Sequence, residues 1–325
     1  MKHYILISVI ILAAAASALA SEGFVYRGQW GESGTGNGQF KLPVDVVAGP
    51  GGNVYVLDSD NFRIQYFTST GSYLGKWGSA GTGAGLFLYP TAIAADPGTG
   101  NIYVADTGRD DVQYFTPAGS FLGSFGSSGT GNGQFMSPHG VAVNAPLGYI
   151  YVSDTNLNRV QYFTPSGSFL GVWGSTGTGN GEFVRAYNVA VAASTGNVYV
   201  VDFGNDRVQY FTSTGSFLGK WGSTGTGDGE FNRPMGVACD AGGRVFVVDY
   251  ANFRVQYFDA AGSFAGKWGK AGTTNGEFNE PVGISLTDGG VAYVADMGNR
   301  RIQYFSEAGP AVTPTSLGRV RALFR

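Results

Sequence analysis

An aspartate recurs six times along this chain, and in most copies an arginine follows it at a fixed distance. The aspartates stand 47 or 48 residues apart, at Asp58, Asp106, Asp154, Asp202, Asp249 and Asp296. A group present in every copy cannot be the single catalytic group of one site. The carboxylate is therefore predicted to accept turn amides, and the arginine to pair with it or with a neighbouring unit.

Side chains that usually carry catalysis are scarce. His139 is the one histidine after residue 20, so the sequence argues against a zinc site that needs several imidazoles. No nucleophile elbow accompanies it for a Ser-His-Asp site. Cys239 lies in an apolar run and is predicted to be a buried structural thiol. We therefore assign no catalytic residue and no metal ligand.

The elements that must position these groups are short strands. Each repeated Asp ends an alternating apolar segment, Gln-Tyr-Phe follows it, and an aromatic-Gly pair and a Gly-rich loop come next. These anchors define four strand signals per unit, and period-2 alternation with frequent turn residues is the all-β pattern. Six such units predict an all-β fold, a six-bladed β-propeller with four-stranded blades.

Strand counting also predicts how the ring closes. The sixth unit stops after its third strand, at Phe305, whereas Phe24 to Trp30 is an extra fourth strand ahead of the first unit. We expect this N-terminal strand to complete the last blade and so to remove an exposed sheet edge.

The units resemble NHL repeats, a family of six-bladed propellers. The resemblance rests on Phe-x-x-Pro-x-Gly-Val before the inner strand, on Tyr-Val-x-Asp, and on Asp-x-x-Asn-x-Arg, which is complete at four units, as in Asp202-Asn205-Arg207. Leu157 takes the Asn place in the third unit, and Arg109 and Asp111 replace both residues in the second. The resemblance implies the fold over residues 24–305. The NHL family also includes peptide-amidating lyases that hold zinc with several histidines. The lone histidine of this sequence argues against that activity.

Positions where the copies differ are the candidates for function, because the loops before the inner strands and after the repeated Asp are expected on one face. In units 4 to 6 these positions carry aromatic residues and methionines rimmed by two arginines, a composition typical of partner-binding patches. Packing between blade tops is the open alternative. The tentative ligand-binding set is Arg185, Tyr187, Phe203, Arg233, Met235, Tyr250 and Met297, with His139. Asp45, where other units carry Gly, Ala or Asn, has two interpretations: a place near the channel mouth or, as the favoured one, a solvated surface position.

The two ends of the chain differ from the repeats. Residues 1–20 combine Lys2, an apolar run and Ala18-Leu19-Ala20, and are predicted to be a cleavable signal peptide, which makes residues 21–309 a secreted or periplasmic propeller. The run is too short for a confident membrane span. Residues 310–325 form a basic tail with Arg319, Arg321 and Arg325; docking on the propeller, contact with an anionic surface, a role as an export tag, and disorder all remain open.

Composition narrows the choice of partners. The formal net charge is −3 and no basic stripe crosses the body, which argues against nucleic acid. The sequence favours an exported, non-enzymatic and monomeric scaffold that presents one loop-rich face to a protein or a glycan. The alternative is a propeller-type lyase or lactonase that works around an ion in the central channel. A structural calcium held there by backbone carbonyls is also left open.

Overall fold

A computed structural model describes residues 23–308, and within them six four-stranded antiparallel sheets form a ring. The predicted all-β six-bladed propeller is confirmed. The predicted signal peptide (1–20) and basic tail (310–325) lie outside the described residues. Within residues 23–308, no helix is both long and apolar enough to cross a membrane.

Each blade contributes an inner strand, two middle strands and an outer strand. The first three blades contain β2 (Pro43–Ala48), β3 (Val54–Asp58), β4 (Arg63–Phe67) and β5 (Tyr73–Trp77); β6 (Pro90–Ala95), β7 (Ile102–Asp106), β8 (Asp111–Phe115) and β9 (Phe121–Phe125); and β10 (Pro138–Asn144), β11 (Tyr149–Asp154), β12 (Arg159–Phe163) and β13 (Phe169–Trp173). A two-stranded ribbon, β14 (Ser175–Thr176) with β15 (Glu182–Phe183), precedes blade 4.

The other three blades repeat the plan, with β1 (Phe24–Trp30) as the outer strand of the last one. They contain β16 (Ala186–Val191), β17 (Val198–Asp202), β18 (Arg207–Phe211) and β19 (Phe217–Trp221); β20 (Pro234–Cys239), β21 (Val245–Asp249), β22 (Arg254–Phe258) and β23 (Phe264–Trp268); and β24 (Pro281–Leu286), β25 (Ala292–Asp296) and β26 (Arg301–Glu307).

Burial follows the position of each strand in its blade. The second strand is buried along its whole length, as in Val54–Asp58, because the neighbouring blades cover both of its faces. The outer strand alternates between half-buried and exposed residues, as in Tyr73–Trp77. The hydrophobic core therefore lies between blades, as where Phe40 and Val46 of blade 1 pack with Tyr293 of blade 6.

The repeated Asp and Arg are structural, as the sequence predicted. Asp58 accepts the backbone N–H groups of Lys41 (2.9 Å) and Leu42 (3.2 Å) with one oxygen, and the Nε of Arg63 (3.0 Å) with the other. The same guanidinium donates to the carbonyls of Thr35 and Gln39. The pair thus fastens the Gly-rich loop to the end of the second strand with charge-assisted hydrogen bonds.

A short 3₁₀ helix follows the repeated Asp in five blades, at Ser59–Asn61, Thr155–Leu157, Phe203–Asn205, Tyr250–Asn252 and Met297–Asn299. Another, Pro50–Gly52, lies on the opposite side of blade 1. In blade 2 residues 107–110 form a turn instead. There Arg109 pairs with Asp111 (2.9 Å) rather than with the repeated Asp106, which is the local consequence of the two sequence departures.

Closure of the ring also follows the prediction. The N-terminal strand β1 pairs antiparallel with β26, from Phe24 opposite Glu307 to Trp30 opposite Ile302. In blade 1 the turn before the outer strand places Gly71 against the ring of Trp30, the outer-strand aromatic of the preceding blade. Blade 6 is made from two distant parts of the chain and has no such turn. There Phe24 stacks on Trp268 with 4.7 Å between ring centroids.

Candidate binding site at the mouth of the channel

Two sets of loops meet at one end of the blades, which we call the upper face. One set precedes the inner strands and the other follows the repeated aspartates. They are joined within each blade, as where the N–H of Phe203 donates to the carbonyl of Arg185 (3.2 Å) and the N–H of Met297 donates to that of Glu280 (3.2 Å). The variable positions of both sets therefore lie side by side, as the sequence predicted.

Backbone geometry fixes how the loops before the inner strands present their side chains. Arg185 has φ of 65° and Arg233 has φ of 54°, in the left-handed region that non-glycine residues rarely occupy. A side chain from the preceding blade holds each of these amides: Asn158 Oδ1 accepts from the N–H of Arg185 (2.6 Å), and Asp206 Oδ1 from that of Arg233 (2.8 Å). Such strained positions persist only where the surroundings determine them.

A cavity of about 200 Å³ opens at the centre of the upper face. Five of the eight residues proposed from the sequence line it: His139, Tyr187, Met235, Tyr250 and Met297. They come from blades 3 to 6, and blades 1 and 2 supply the opposite wall, so the cavity caps the central channel. It is a concave site with largely apolar walls.

The other three proposed residues stand behind or beside the cavity. Phe203 packs behind Tyr187, with ring centroids 5.2 Å apart, and the guanidinium of Arg185 lies 5.5 Å above the Phe203 ring. Arg185 and Arg233 are exposed. Phe203 is thus a packing residue of the blade tops, while the two arginines form a cationic rim.

His139 and Tyr187 in the cavity are uncharged at neutral pH, and the positive charge of Arg185 lies beside them. Burial, with a smaller contribution from the charge of Arg185, lowers the pKa of His139 to about 4. The His139 ring lies 3.8 Å from that of Tyr187. Burial also raises the pKa of Tyr187, with a smaller contribution from Tyr89 across the cavity. At neutral pH His139 is therefore an uncharged ring, and Tyr187 keeps its proton.

Sequence reasoning missed three exposed apolar residues that blades 2 and 3 contribute to this face. Tyr89 lines the cavity and is 50% exposed, and Leu88 and Met136 beside it are 39% and 41% exposed. Tyr89 stands immediately before Pro90, at the position that carries Arg185 and Arg233 in blades 4 and 5. Leu88 and Met136 stand two residues before Pro90 and Pro138, where other copies carry Lys, Asn or Val. The sequence did carry this information, since the same loops had already led to Arg185 and Arg233. Only the charged residues of these loops were considered, and the apolar ones were not.

A second cavity, of about 260 Å³, lies deeper in the channel and corrects the interpretation of Asp45. This residue is buried, and its carboxylate accepts the N–H groups of Val46 (2.9 Å) and of Ile93 in the next blade (3.0 Å). It is therefore a link between blades 1 and 2 and not solvated decoration. Burial raises its pKa to about 7.

Cys239 lines the deeper cavity, where part of the residue is exposed. Burial of the sulfur raises its pKa, so the thiol stays protonated and is a poor nucleophile, as expected of a structural cysteine. Within residues 23–308, no three His, Cys, Asp or Glu side chains are grouped so as to hold a metal ion.

A larger cavity, of about 480 Å³, lies on the opposite face between blades 6 and 1. Its lining is mostly glycine-rich loop backbone, including Gly51 and Gly52, and the hydroxyl of Tyr293 at its edge already donates to the carbonyl of Ser69 (2.9 Å). Few side chains there could distinguish one ligand from another. The smaller cavity on the upper face is the better candidate for recognition.

Known proteins resemble this chain mainly through its fold. No curated protein matches the chain. A structural genomics protein of unknown function from Bacteroides thetaiotaomicron is 17% identical, with a TM-score of 0.66 over 88% of this chain and 76% of that one. An inactive variant of virginiamycin B lyase from Staphylococcus aureus, solved with quinupristin, is 13% identical, with a TM-score of 0.59 over 89% of this chain and 90% of that one.

A gluconolactonase from Xanthomonas campestris is 13% identical, with a TM-score of 0.61 over 84% of this chain and 88% of that one. At such identities the similarity shows a shared fold and no shared activity. Two family profiles match directly: residues 40–67 match the NHL repeat, and residues 143–222 match a domain described as a 6-bladed beta-propeller. With four-stranded blades recurring through a ring of six, this chain is a six-bladed β-propeller that contains a match to the NHL repeat.

Proposed function

We propose that this protein is an exported, non-enzymatic binding scaffold whose upper face receives a protein or a glycan. The observation that carries the proposal is the cavity at the channel mouth, because it brings together five variable residues from four blades. The repeated residues are occupied in holding the blades together. The variable residues Tyr187, Met235 and Tyr250 are half-buried at the rim of a depression, where a partner can reach them.

The size of the cavity favours recognition of one group on a larger partner. Sites for drug-sized ligands and cofactors occupy about 300–1,000 Å³, whereas this cavity measures about 200 Å³. It can take one side chain or one sugar ring. A single anchor seated in a pocket, with surrounding contacts that exclude water, is the usual arrangement of an interface hot spot.

The enzymatic alternative is a lyase or lactonase that works around a channel ion. General bases work best with a pKa near the operating pH, and the lowered pKa of His139, about 4, makes it a weak base. The lyase and the gluconolactonase share the fold at 13% identity. Metal analysis of the purified protein separates the two proposals: a stoichiometric, tightly held ion would favour the enzyme.

Export is the part of the proposal that rests on sequence alone. The Ala18-Leu19-Ala20 segment supports cleavage before Ser21. Mass spectrometry of the protein recovered from its native host should give an N-terminus at Ser21. Protein recovered with residues 1–20 intact would count against cleavage.

The binding proposal is tested by screening the purified propeller against arrays of peptides and glycans, followed by titration calorimetry with the strongest binder. Tyr187→Ala should weaken that binding about 30-fold or more, as removal of a hot-spot aromatic costs 2 kcal/mol or more. Leu147→Ala is the matched control, because Leu147 is 49% exposed and lies on the opposite face. Equal losses in both variants, or no binder in either array, would contradict the proposal.

A further inference from the structure

The two arginines of the upper face differ from the arginines of the repeat. Each repeat arginine is committed to a carboxylate, as in Arg207 with Asp202 (2.7 Å) and Arg254 with Asp249 (2.8 Å). Within residues 23–308, the guanidinium groups of Arg185 and Arg233 have no acidic partner within 4 Å. Two exposed cations beside one cavity are available to a partner.

The backbones of both arginines are held in place, as is the side chain of Arg185, which lowers the entropy that a partner must remove on binding. Their left-handed backbones are fixed by hydrogen bonds from the preceding blade. The guanidinium of Arg185 rests on the Phe203 ring, and such stacking leaves the edge N–H groups pointing outward for a carboxylate. The field of Arg185 reaches the cavity, since it lowers the pKa of His139.

Across the cavity the upper face is apolar instead of charged. Leu88, Tyr89 and Met136 are each at least 39% exposed and belong to neighbouring loops of blades 2 and 3. Clusters of exposed large apolar side chains on soluble proteins commonly mark interaction sites. The face therefore has an apolar side, from blades 2 and 3, and a side that carries the two arginines, with the cavity between them; Glu280 of blade 6 also lies near Tyr250 on the second side.

We infer that the partner is a protein segment that inserts one apolar side chain into the cavity and places an acidic residue next to it against Arg185 and Arg233. This inference rests on the proposed function and narrows it. An acidic residue is expected on the partner because its charge would complement the two arginines of the rim. Met235, Met297 and other apolar side chains line the cavity, and methionine adapts to apolar guests of different shapes.

A sugar ring fits this cavity less well than an apolar side chain. Its hydroxyl groups lose water on burial and need hydrogen-bond partners in exchange. In the cavity wall the hydroxyl of Thr91 is already engaged with the carbonyl of Pro138 (3.2 Å) and the hydroxyl of Thr107 (3.0 Å). The buried Oγ of Ser59, which has no partner within residues 23–308, can satisfy only part of what the several hydroxyls of a sugar ring need. An apolar side chain makes no such demand, so a peptide is the better occupant.

The test uses three fluorescent peptide pools that differ at two positions only. Each peptide has a central Phe, Leu or Trp followed by two Glu, two Gln or two Lys, between randomised flanks, and binding to the mature protein is measured by fluorescence anisotropy. We expect the Glu pool to bind at least 10-fold more tightly than the Gln pool, and the Lys pool to bind least. Raising salt from 50 to 500 mM should reduce this preference, because exposed charges are screened.

Variants separate the inference from the proposed function. In the double variant Arg185→Gln with Arg233→Gln, the Glu and Gln pools should bind equally, whereas the control Lys220→Gln, on the outer strand of blade 4, should keep the preference. Tyr187→Ala should abolish binding of both pools.

Equal binding of the Glu and Gln pools by the wild type overturns the inference and leaves the scaffold function standing. Binding of glycans with no binding of any pool overturns the choice of partner, and no binding of either class overturns both.

Discussion

The N-terminal strand offers the sharpest test of how the propeller is held together, through the substitution Phe24→Ala. Phe24 is 6% exposed and contacts three aromatic rings of blade 5, including Trp268 at 4.7 Å and Phe246 at 5.2 Å. In the other blades, the turn before the outer strand occupies the place that Phe24 takes here. The contact therefore joins the first described residues to a blade more than 200 positions away in the chain.

Removing a buried Phe side chain costs about 3–5 kcal/mol, because the transfer free energy is lost and a cavity remains. For a urea m-value of about 3 kcal/mol/M, the unfolding midpoint should fall by about 1 M or more, with m unchanged. Urea unfolding followed by tryptophan fluorescence and by circular dichroism measures both quantities.

The matched control is Phe121→Ala, in an outer strand that does not close the ring. Phe121 is 38% exposed, and we expect its loss to cost less than about 1 kcal/mol, in the range of surface substitutions. The reasoning is refuted if Phe24→Ala shifts the midpoint no more than Phe121→Ala does. In that case the last blade would be closed by backbone pairing alone.

Two further variants test the links between and within blades. Burial raises the pKa of Asp45 from 3.8 to about 7. Between these pH values the folded state holds a proton that the unfolded state has lost, so the free energy of unfolding falls as pH rises through that window, by about 4 kcal/mol in all. Relative to Asp45→Asn, which cannot titrate, the wild type should thus lose free energy of unfolding between pH 4 and pH 8; a constant difference would contradict the buried carboxylate. In blade 2, Arg109→Asn with Asp111→Arg restores the pattern of the other blades and lets the new arginine reach the Gly-rich loop. We expect a gain of about 1–2 kcal/mol from charge-assisted hydrogen bonds, whereas a lower urea midpoint would show that the Arg109–Asp111 pair is the better local solution.

The blades and their closure could be predicted from the sequence because the copies repeat the same physical constraints. Every unit buries one aromatic after the Gly-rich loop, and five of the six fasten that loop with the repeated Asp and its Arg, so the pattern can be recognised through the whole chain. The lack of a fourth strand after Phe305 and the extra strand from Phe24 to Trp30 can be read by counting alone.

The site was only partly predictable. Differences between copies located Tyr187, Met235 and Tyr250, since the fold brings equivalent loop positions together. They could not show that Phe203 packs behind Tyr187, because both roles favour an aromatic residue. Nor could they show that Asp45 is buried: a single carboxylate among Gly and Ala looks solvated until the amide of Ile93 is found within 3.0 Å.

The central claim is that recognition occurs where the copies disagree, at the cavity of the upper face. Hydrogen exchange with and without the strongest array binder tests it most directly, because it covers both faces in one experiment. We expect slower exchange in the loops before the inner strands of blades 2 to 5, at residues 88–91, 136–139, 184–187 and 232–235, and unchanged exchange in residues 49–53 and 287–290 of the opposite face. Protection confined to the opposite face, with the upper loops unchanged, would contradict the claim.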